Sequence, residues 1–375
     1  MATGELLSDV CSGRQPLLSI VIPFHNSLGK CEVLLTTLAQ CVHHDVEFIL
    51  VDDGSTDGTI DALERHAGEL QNRVQVIQQD NRGPGGARNT GLKAALGEYV
   101  WFVDSDDDIV LNAIDIVREN RTHKYDFIDF NLLHEGIEVN SMELPEGEYE
   151  SLRRSGPNQF LSAGHGLRFG RLCTKVFRRE FLRLIECTDV GMYPEYCVYE
   201  DNPIAMVLAV TPCRFLKSEA IGYHHITESL VSVTRGSVLS PRTFDRVLTA
   251  AYGLERARML TQRSEEVAAL ETIYVRLAWY NTLGMYRVRW DKPRFWIVAV
   301  RLTRRFRDDA SRLRVSAARC FSVRQSRRRA LWYALVWLVS HALPPYQGFD
   351  ESRQQAWGRA VRFPCAQPRV AAFEA

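Results

Sequence analysis

An α/β fold is predicted, a doubly wound, mostly parallel sheet flanked by helices and followed by a mainly helical C-terminal extension. Three observations predict it. Short apolar runs recur at residues 17–22, 48–51, 74–78 and 99–103, and three of them break off at Pro23, Asp52 and Asp104. The stretches between them carry helical spacing or a glycine-rich turn. Strand and helix therefore alternate over short links, the pattern of parallel sheets that bind ligands outside the carboxyl ends of their strands.

LLSIVIPFHN (17–26) is apolar and β-branched and is closed by Pro23, which reads as a buried parallel strand running into a loop. Residues 27–42 place Val33, Leu34, Leu38 and Val42 at helical spacing. In EFILVDDGSTDGT (47–59), the strand Phe48 to Val51 ends in Asp52 and Asp53, Gly54 and Ser55 turn the chain, and Ser55 or Thr56 is expected to cap a helix from about Thr59. A third strand, Val74 to Gln78, leads to NRGPGGARNTGLKAALGEY (81–99). There Gly83, Pro84, Gly85 and Gly86 read as a loop before a helix to about Leu96, with backbone N–H groups open to an anionic ligand. The fourth strand, Tyr99 to Val103, delivers four carboxylates, Asp104, Asp106, Asp107 and Asp108, interrupted only by Ser105.

Carboxylates crowded this closely repel one another. A hard divalent cation such as Mg2+ or Mn2+ relieves the repulsion by taking one or two of them together with phosphate oxygens. An acidic loop or helix cap is the alternative that the cluster alone would leave standing. Its company favours the cation, because Pro23 to Asn26, Asp52 and Asp53, the glycine loop and Asp104 to Asp108 are all predicted at one sheet edge.

The segments SIVIPFHN, FILVDDGSTDGT, NRGPGGARNTGL and GEYVWFVDSDDDI, in that order over about ninety residues, resemble the family 2 inverting glycosyltransferases of bacterial polysaccharide and cell-surface glycan synthesis. The resemblance implies a GT-A-type nucleotide-sugar-binding domain. It implies that Pro23, Phe24, Asn26, Asp52 and Asp53 form the nucleoside pocket, and that Asn81, Gly83 and Arg88 lie along the nucleotide. It matches Asp104 and Asp106 to the family's D-x-D motif, with Asp106 as the direct metal ligand, Asp104 nearer the ribose and Ser105 between them, and so implies Mn2+ or Mg2+ as cofactor. Asp107 and Asp108 are equally well explained as structural caps.

GRLCTKVFRREFL (170–182) resembles the family segment that follows the sheet core. YPEYCVYEDNPIAMVLAV (193–210) holds Glu200 and Asp201 just before an apolar helix, matching the family's E-D motif. In inverting transfer the acceptor hydroxyl attacks in line, opposite the departing diphosphate, and a carboxylate takes its proton. The match assigns that role to Asp201, with Glu200 beside it, although carboxylates at a helix start also serve the dipole. IGYHHITESLVS (221–232) resembles the segment that closes over the diphosphate. His224 and His225 stand where a basic or aromatic residue is usual; one of them, His225 in the expected ligand set, is either a third metal ligand or a cation on the leaving phosphate, and the sequence does not separate the two histidines.

Composition fits a folded protein of about two domains, with 375 residues, 46% hydrophobic and 25% charged. The expected division is a GT-A domain over 1–235 and a helical, Arg-rich extension over 236–375, ending in a loosely ordered tail of thirty residues. Net charge is zero but unevenly placed, since residues 286–330 hold 15 Lys or Arg against 3 acids. The apolar, Trp-rich run Ala330 to Leu343 is too short to span a bilayer. Flanked by arginines, it suits either a helix packed on the protein or one in the headgroup region, so peripheral membrane contact through 293–343 is one expectation. Nucleic acid is not an expected partner, because no recognised binding motif accompanies the charge. Nine scattered cysteines without a C-x-x-C fit a reduced compartment and no zinc, and the first sixteen residues lack signal-peptide order, so a cytoplasmic location is expected.

The expected function is metal-dependent, inverting transfer of a sugar from a nucleotide donor, UDP-linked, to a glycan or lipid-linked saccharide. The alternatives are a non-catalytic binding or assembly subunit of the same fold, and a nucleotidyltransferase, whose lysine-bearing glycine loop is replaced here by Pro23 to Asn26.

Overall fold

The computed structural model describes residues 15–142, 144–150, 171–186, 191–197, 199–226, 242–261, 263–288, 293–316, 320 and 334–342. They divide into two compact units. One lies within Met1–Ser151, Arg171–Tyr196 and Pro212–Leu230, the other within Leu152–Gly170, Cys197–Thr211 and Val231–Ala375. The division is interleaved along the chain. The expected boundary at 235/236 and the expected tail lie outside the described residues.

The first unit is built on a ten-stranded sheet. Its strands are β1 (Leu18–Phe24), β2 (Val46–Asp53), β3 (Arg73–Gln79), β4 (Tyr99–Phe102), β5 (Asp108–Ile109), β6 (Phe127–His134), β7 (Ile137–Val139), β8 (Gly147–Glu150), β9 (Lys175–Arg178) and β10 (Arg214–His225). The main path runs β3-β2-β1-β4-β9-β6-β10-β5, with β7 beside β6 and β8 beside β10. β1 to β4 pair in parallel, β9 runs against both β4 and β6, and β10 runs parallel to β6. Six of the ten strands therefore share a direction, as the sequence predicts for a mostly parallel sheet. The chain moves outward from β1 to β3 and returns to β4 on the other side of β1, so the strand order reverses between β1 and β4. That reversal is where doubly wound sheets open a ligand crevice.

β1, β2 and β4 are almost wholly buried, which explains why they read as continuous apolar runs. Ile20, Ile22, Phe24, Phe48, Leu50 and Trp101 join Leu34, Leu35 and Leu38 of α1 (Glu32–Ala39) in one core cluster. α1 is shorter than the spacing over 27–42 predicts. Residues 27–31 turn, Val33 faces solvent on the helix, and Val42 lies beyond its end, 71% exposed. α2 (Thr59–Ala67) begins where expected, but neither Ser55 nor Thr56 caps it. Its N-cap is Gly58, with no side-chain cap; Asp57 Oδ1 accepts from the Thr59 N–H at 3.0 Å and its hydroxyl at 2.5 Å just ahead of the first turn. Ser55 and Thr56 bind Asn26 instead.

α3 (Gly83–Ala94) is a further correction. The four residues 83–86 form its first turn, with Pro84 at the start, where a missing N–H costs nothing. Gly85 has a packing reason, since a Cβ there would come within 2.1 Å of the Pro194 carbonyl oxygen. α4 (Asn112–Glu119) and α5 (Arg179–Ile185) complete the helices described in this unit.

Beneath β6, β9 and β10 lies a charged knot. Asp129, Lys175 and Lys217 are all fully buried. Asp129 accepts from Lys175 Nζ at 2.9 Å and Thr174 Oγ1 at 2.9 Å, and bonds Ser141, with Lys217 Nζ at 3.6 Å. Burial lowers the Lys217 pKa, with Asp129 pulling against it. Asp129→Ala would leave two buried ammoniums without their shared carboxylate, a loss expected to cost about 3–5 kcal/mol. Urea unfolding is expected to show a lower midpoint at unchanged slope; a midpoint equal to that of the parent protein would refute the assignment.

In the second unit, α6 (Asp201–Leu208) packs on α7 (Arg242–Leu260), which is followed by α8 (Ser264–Val288) and α9 (Pro293–Arg312). Gly253 admits Pro203 and Met206, since a Cβ would meet either at 2.8 Å. Trp279 stacks edge-on with Phe306 and donates to the Cys320 carbonyl at 2.6 Å. This unit is helical in its described residues, as the extension is expected to be. No described helix is long and apolar enough to cross a membrane.

Candidate active site

The carboxyl ends of β1, β2, β3 and β4 meet at one edge, with Phe24 opposite Asp52, Asp53 opposite Gln79, and Val21 opposite Phe102. Across the reversal point, Ser27 Oγ and Ser105 Oγ lie 3.0 Å apart. This contact joins the loop after β1 to the acidic loop after β4.

The two aspartates of β2, inseparable by sequence, have different tasks. Asp53 is 2% exposed and closed, because Oδ1 accepts from Gln79 Nε2 at 2.6 Å and from the Arg82 N–H at 2.8 Å. It thereby anchors the entry to α3. Burial raises its pKa, and those hydrogen bonds oppose the shift. Asp52 is fully buried; Oδ2 accepts from the Ser55 N–H at 3.3 Å, while Oδ1 has no hydrogen-bond partner. A buried carboxylate oxygen left open is costly unless a ligand donates to it. Asp52, rather than Asp53, therefore has an acceptor oxygen open to a ligand's N–H or O–H.

Asn26 sits in the left-handed region, φ 49°, and clasps the neighbouring turn: its N–H donates to Ser55 Oγ at 2.9 Å and its Oδ1 accepts from the Thr56 N–H at 2.9 Å. Gly54 answers from the other side, with φ 70° and a would-be Cβ 2.9 Å from Asn81 N. His25, which the sequence reading did not single out, ties the group together. Its Nδ1 lies 2.8 Å from the Asp53 carbonyl oxygen, and Asn81 Nδ2 lies 3.2 Å from its Nε2. Asn81 Oδ1 also accepts from the Gly83 N–H. Phe24 is the one pocket candidate whose side chain is absorbed by the core, fully buried among the residues packed on α1. Pro23 precedes it on β1, opposite Val51.

Arg88, 7% exposed, donates from Nη2 to Asp104 Oδ1 at 2.5 Å and lies 5.5 Å from the centre of the Tyr193 ring. The segment carrying Tyr193 is strapped to α3. Asn89 bonds the Tyr193 backbone in both directions, at 2.8 and 2.9 Å, and Arg82 pairs with Glu195. These partners lie more than a hundred residues apart, and no local sequence signal points to them.

Within the acidic loop the carboxylates again divide. Asp108 Oδ1 accepts from the adjacent Ile109 N–H within β5 and caps no helix. Asp107 is 6% exposed and faces β10, accepting from Tyr223 Oη at 2.6 Å and the Ile226 N–H at 3.0 Å, with His225 Nδ1 in ion-pair contact at 3.1 Å. That contact raises the His225 pKa. Burial, then the charge of Asp107, raises that of Asp106. Among the described residues no three His, Cys, Asp or Glu side chains are gathered as a ready cage. His224 and His225 end β10, where His224 pairs with Asp108. Glu200 and Asp201 belong to the second unit, as the N-cap and the first residue of α6.

Residues 19–185 match the model of Glycosyl transferase family 2. An uncharacterized glycosyltransferase of Haemophilus influenzae (strain ATCC 51907 / DSM 11121 / KW20 / Rd) is 26% identical over 286 residues, 73% of this chain and 99% of that protein. The uncharacterized glycosyltransferase EpsJ of Bacillus subtilis (strain 168) is 42% identical over 92 residues, 24% of this chain; the chain spans 26% of EpsJ's length. Among solved structures, S. aureus TarS 1–349 in complex with UDP-GlcNAc aligns at TM-score 0.59 and 19% identity, over 94% of this chain and 95% of that one, a likeness of fold.

Proposed function

The chain carries a glycosyltransferase family 2 domain of the GT-A fold, and from that premise we propose that it is a metal-dependent, inverting glycosyltransferase. It moves a sugar from a UDP donor to a glycan or lipid-linked saccharide. The observation that carries the reading is the open Oδ1 of buried Asp52, at the same sheet edge as the acidic loop and Arg88.

In this reading the uracil N–H donates to Asp52, while Asp53 and His25 hold the pocket's wall through the bonds given above. Arg88 fixes Asp104, which accepts from the ribose hydroxyls. Asp106 offers the cation a hard oxygen, with Asp104 and His225 as further donors. Carboxylates that do not form a complete cage suit Mg2+ or Mn2+, which fill the remainder of their shell with diphosphate oxygens and water. When bound, such an ion neutralises charge on the departing diphosphate. Asp201, with Glu200 beside it, removes the acceptor hydroxyl's proton as the new bond forms on the face opposite the leaving group. TarS is named for transfer of N-acetylglucosamine to poly(ribitol-phosphate), which supports UDP-GlcNAc as the first donor to try. Exposed Leu335, Leu338 and Val339 in the described part of 293–343 support peripheral membrane contact there.

Calorimetry with UDP, GDP and a panel of nucleotide sugars, each with Mn2+ and with EDTA, tests the reading. One UDP-sugar is expected to bind in a metal-dependent way; a folded protein that binds none of them would overturn it.

A further inference from the structure

Three strands of observation meet at Asp107, which neither the D-x-D match nor the reaction just described employs. Its carboxylate is 6% exposed, and both oxygens are engaged by β10 and the residue that follows it, through the Tyr223 hydroxyl, His225 Nδ1 and the Ile226 N–H. Tyr223, fully buried, also accepts from the Asp104 N–H at 3.3 Å, and the Asp107 N–H donates to the Asp104 carbonyl at 3.2 Å. One carboxylate and one phenol therefore fasten the backbone of the acidic loop to the end of β10. His225 itself remains half-exposed.

The chemistry of this contact is directional. A carboxylate oxygen only accepts, so its 3.1 Å contact with Nδ1 favours a hydrogen on that nitrogen. With the hydrogen on Nδ1, a neutral His225 keeps its lone pair on Nε2, the arrangement by which a carboxylate orients a ligating histidine. His224 has no such partner among the contacts of Asp107; it pairs with Asp108 along the strand.

We infer that Asp107 and Tyr223 are positioning residues, which set the tautomer of His225 so that Nε2 is its ligand-binding nitrogen and hold Asp104 and Asp106 at a fixed place beside it. The inference rests on the proposed nucleotide site but reads out separately from it. The tautomer can be read in the ligand-free protein, from long-range 1H–15N correlation of the imidazoles above the titration of His225, with His225→Asn identifying its signals. Wild type is expected to show Nδ1–H. Asp107→Ala is expected to move the hydrogen to Nε2 and to weaken Mn2+-dependent UDP binding by about 10–100-fold, the usual effect of removing a partner of a metal ligand. Asp107→Asn keeps an acceptor oxygen and is expected to keep the wild-type tautomer. Tyr223→Phe keeps the tautomer and the fold but is expected to weaken Mn2+-dependent UDP binding. An Nε2–H wild type, or an Asp107→Ala protein with wild-type tautomer and affinity, would overturn the inference. Should Asp107→Ala not fold, the wild-type tautomer and the Tyr223→Phe affinity decide it. A wild type that binds no nucleotide yet shows Nδ1–H would count against the donor site alone and leave the tautomer assignment standing.

Discussion

Asp106→Ala is expected to abolish metal-dependent turnover, lowering kcat/KM by at least about 100-fold, while the protein unfolds at nearly the parent temperature. The carboxylates of the acidic loop divide their labour. Asp104 is paired with Arg88, Asp107 is spent on β10, and Asp108 bonds its own neighbour. Burial, and then the adjacent Asp107 charge, push the Asp106 carboxyl towards protonation, a penalty on its charge that a cation relieves. Truncating it removes that half-buried charge, which is why stability is expected to hold or rise slightly. The same change deletes the oxygen on which the ion and the donor diphosphate depend. Initial rates across an Mn2+ titration decide the matter. Rates that return to the parent value at high Mn2+ would mean that Asp106 only raises metal affinity, and full activity at all concentrations would end its role as ligand.

How far the sequence discloses this arrangement varies with the distance over which each feature is determined. β1, β2 and β4 are legible because strands buried on both faces must be apolar throughout, and the polar residues at their ends mark where each chain leaves the core. The carboxyl-edge site follows from that reading with little added. What escapes is whatever depends on partners far along the chain. Asp52 and Asp53 are adjacent and chemically identical, yet Gln79 and the Arg82 N–H close one and leave the other with an open oxygen. The glycines at 83–86 read as a loop because glycine disfavours helices. They begin α3 because Pro194 lies against Gly85, a contact 109 positions away in sequence. Asp107 passes for a cap until Tyr223 and His225 arrive on β10. The interleaving of the two compact units is likewise hidden, since Cys197–Thr211 joins the helical unit by the packing of α6 on α7, which no composition change announces.

The same interleaving sharpens the second large effect, in Asp201→Asn. Asp201 opens α6 in the helical unit, whereas the candidate donor residues lie on the sheet unit. If Asp201 is the base, donor binding is expected to persist, because the substitution removes only the group that takes the acceptor's proton. Asparagine preserves size and hydrogen-bonding capacity but has no basic oxygen to take the proton. A positioned general base contributes about 100- to 10,000-fold, and transfer is expected to fall by that amount. Glu200 provides the internal control. It is buried at the N-cap of α6, so Glu200→Gln is expected to act mainly through local stability and to depress the rate far less. The decisive comparison pairs calorimetric UDP-sugar affinity with single-turnover transfer for both variants. Unchanged affinity with collapsed transfer in Asp201→Asn alone identifies the base. A loss of affinity equal to the loss of rate would make Asp201 a donor contact, and an unchanged rate would move the proton acceptor elsewhere.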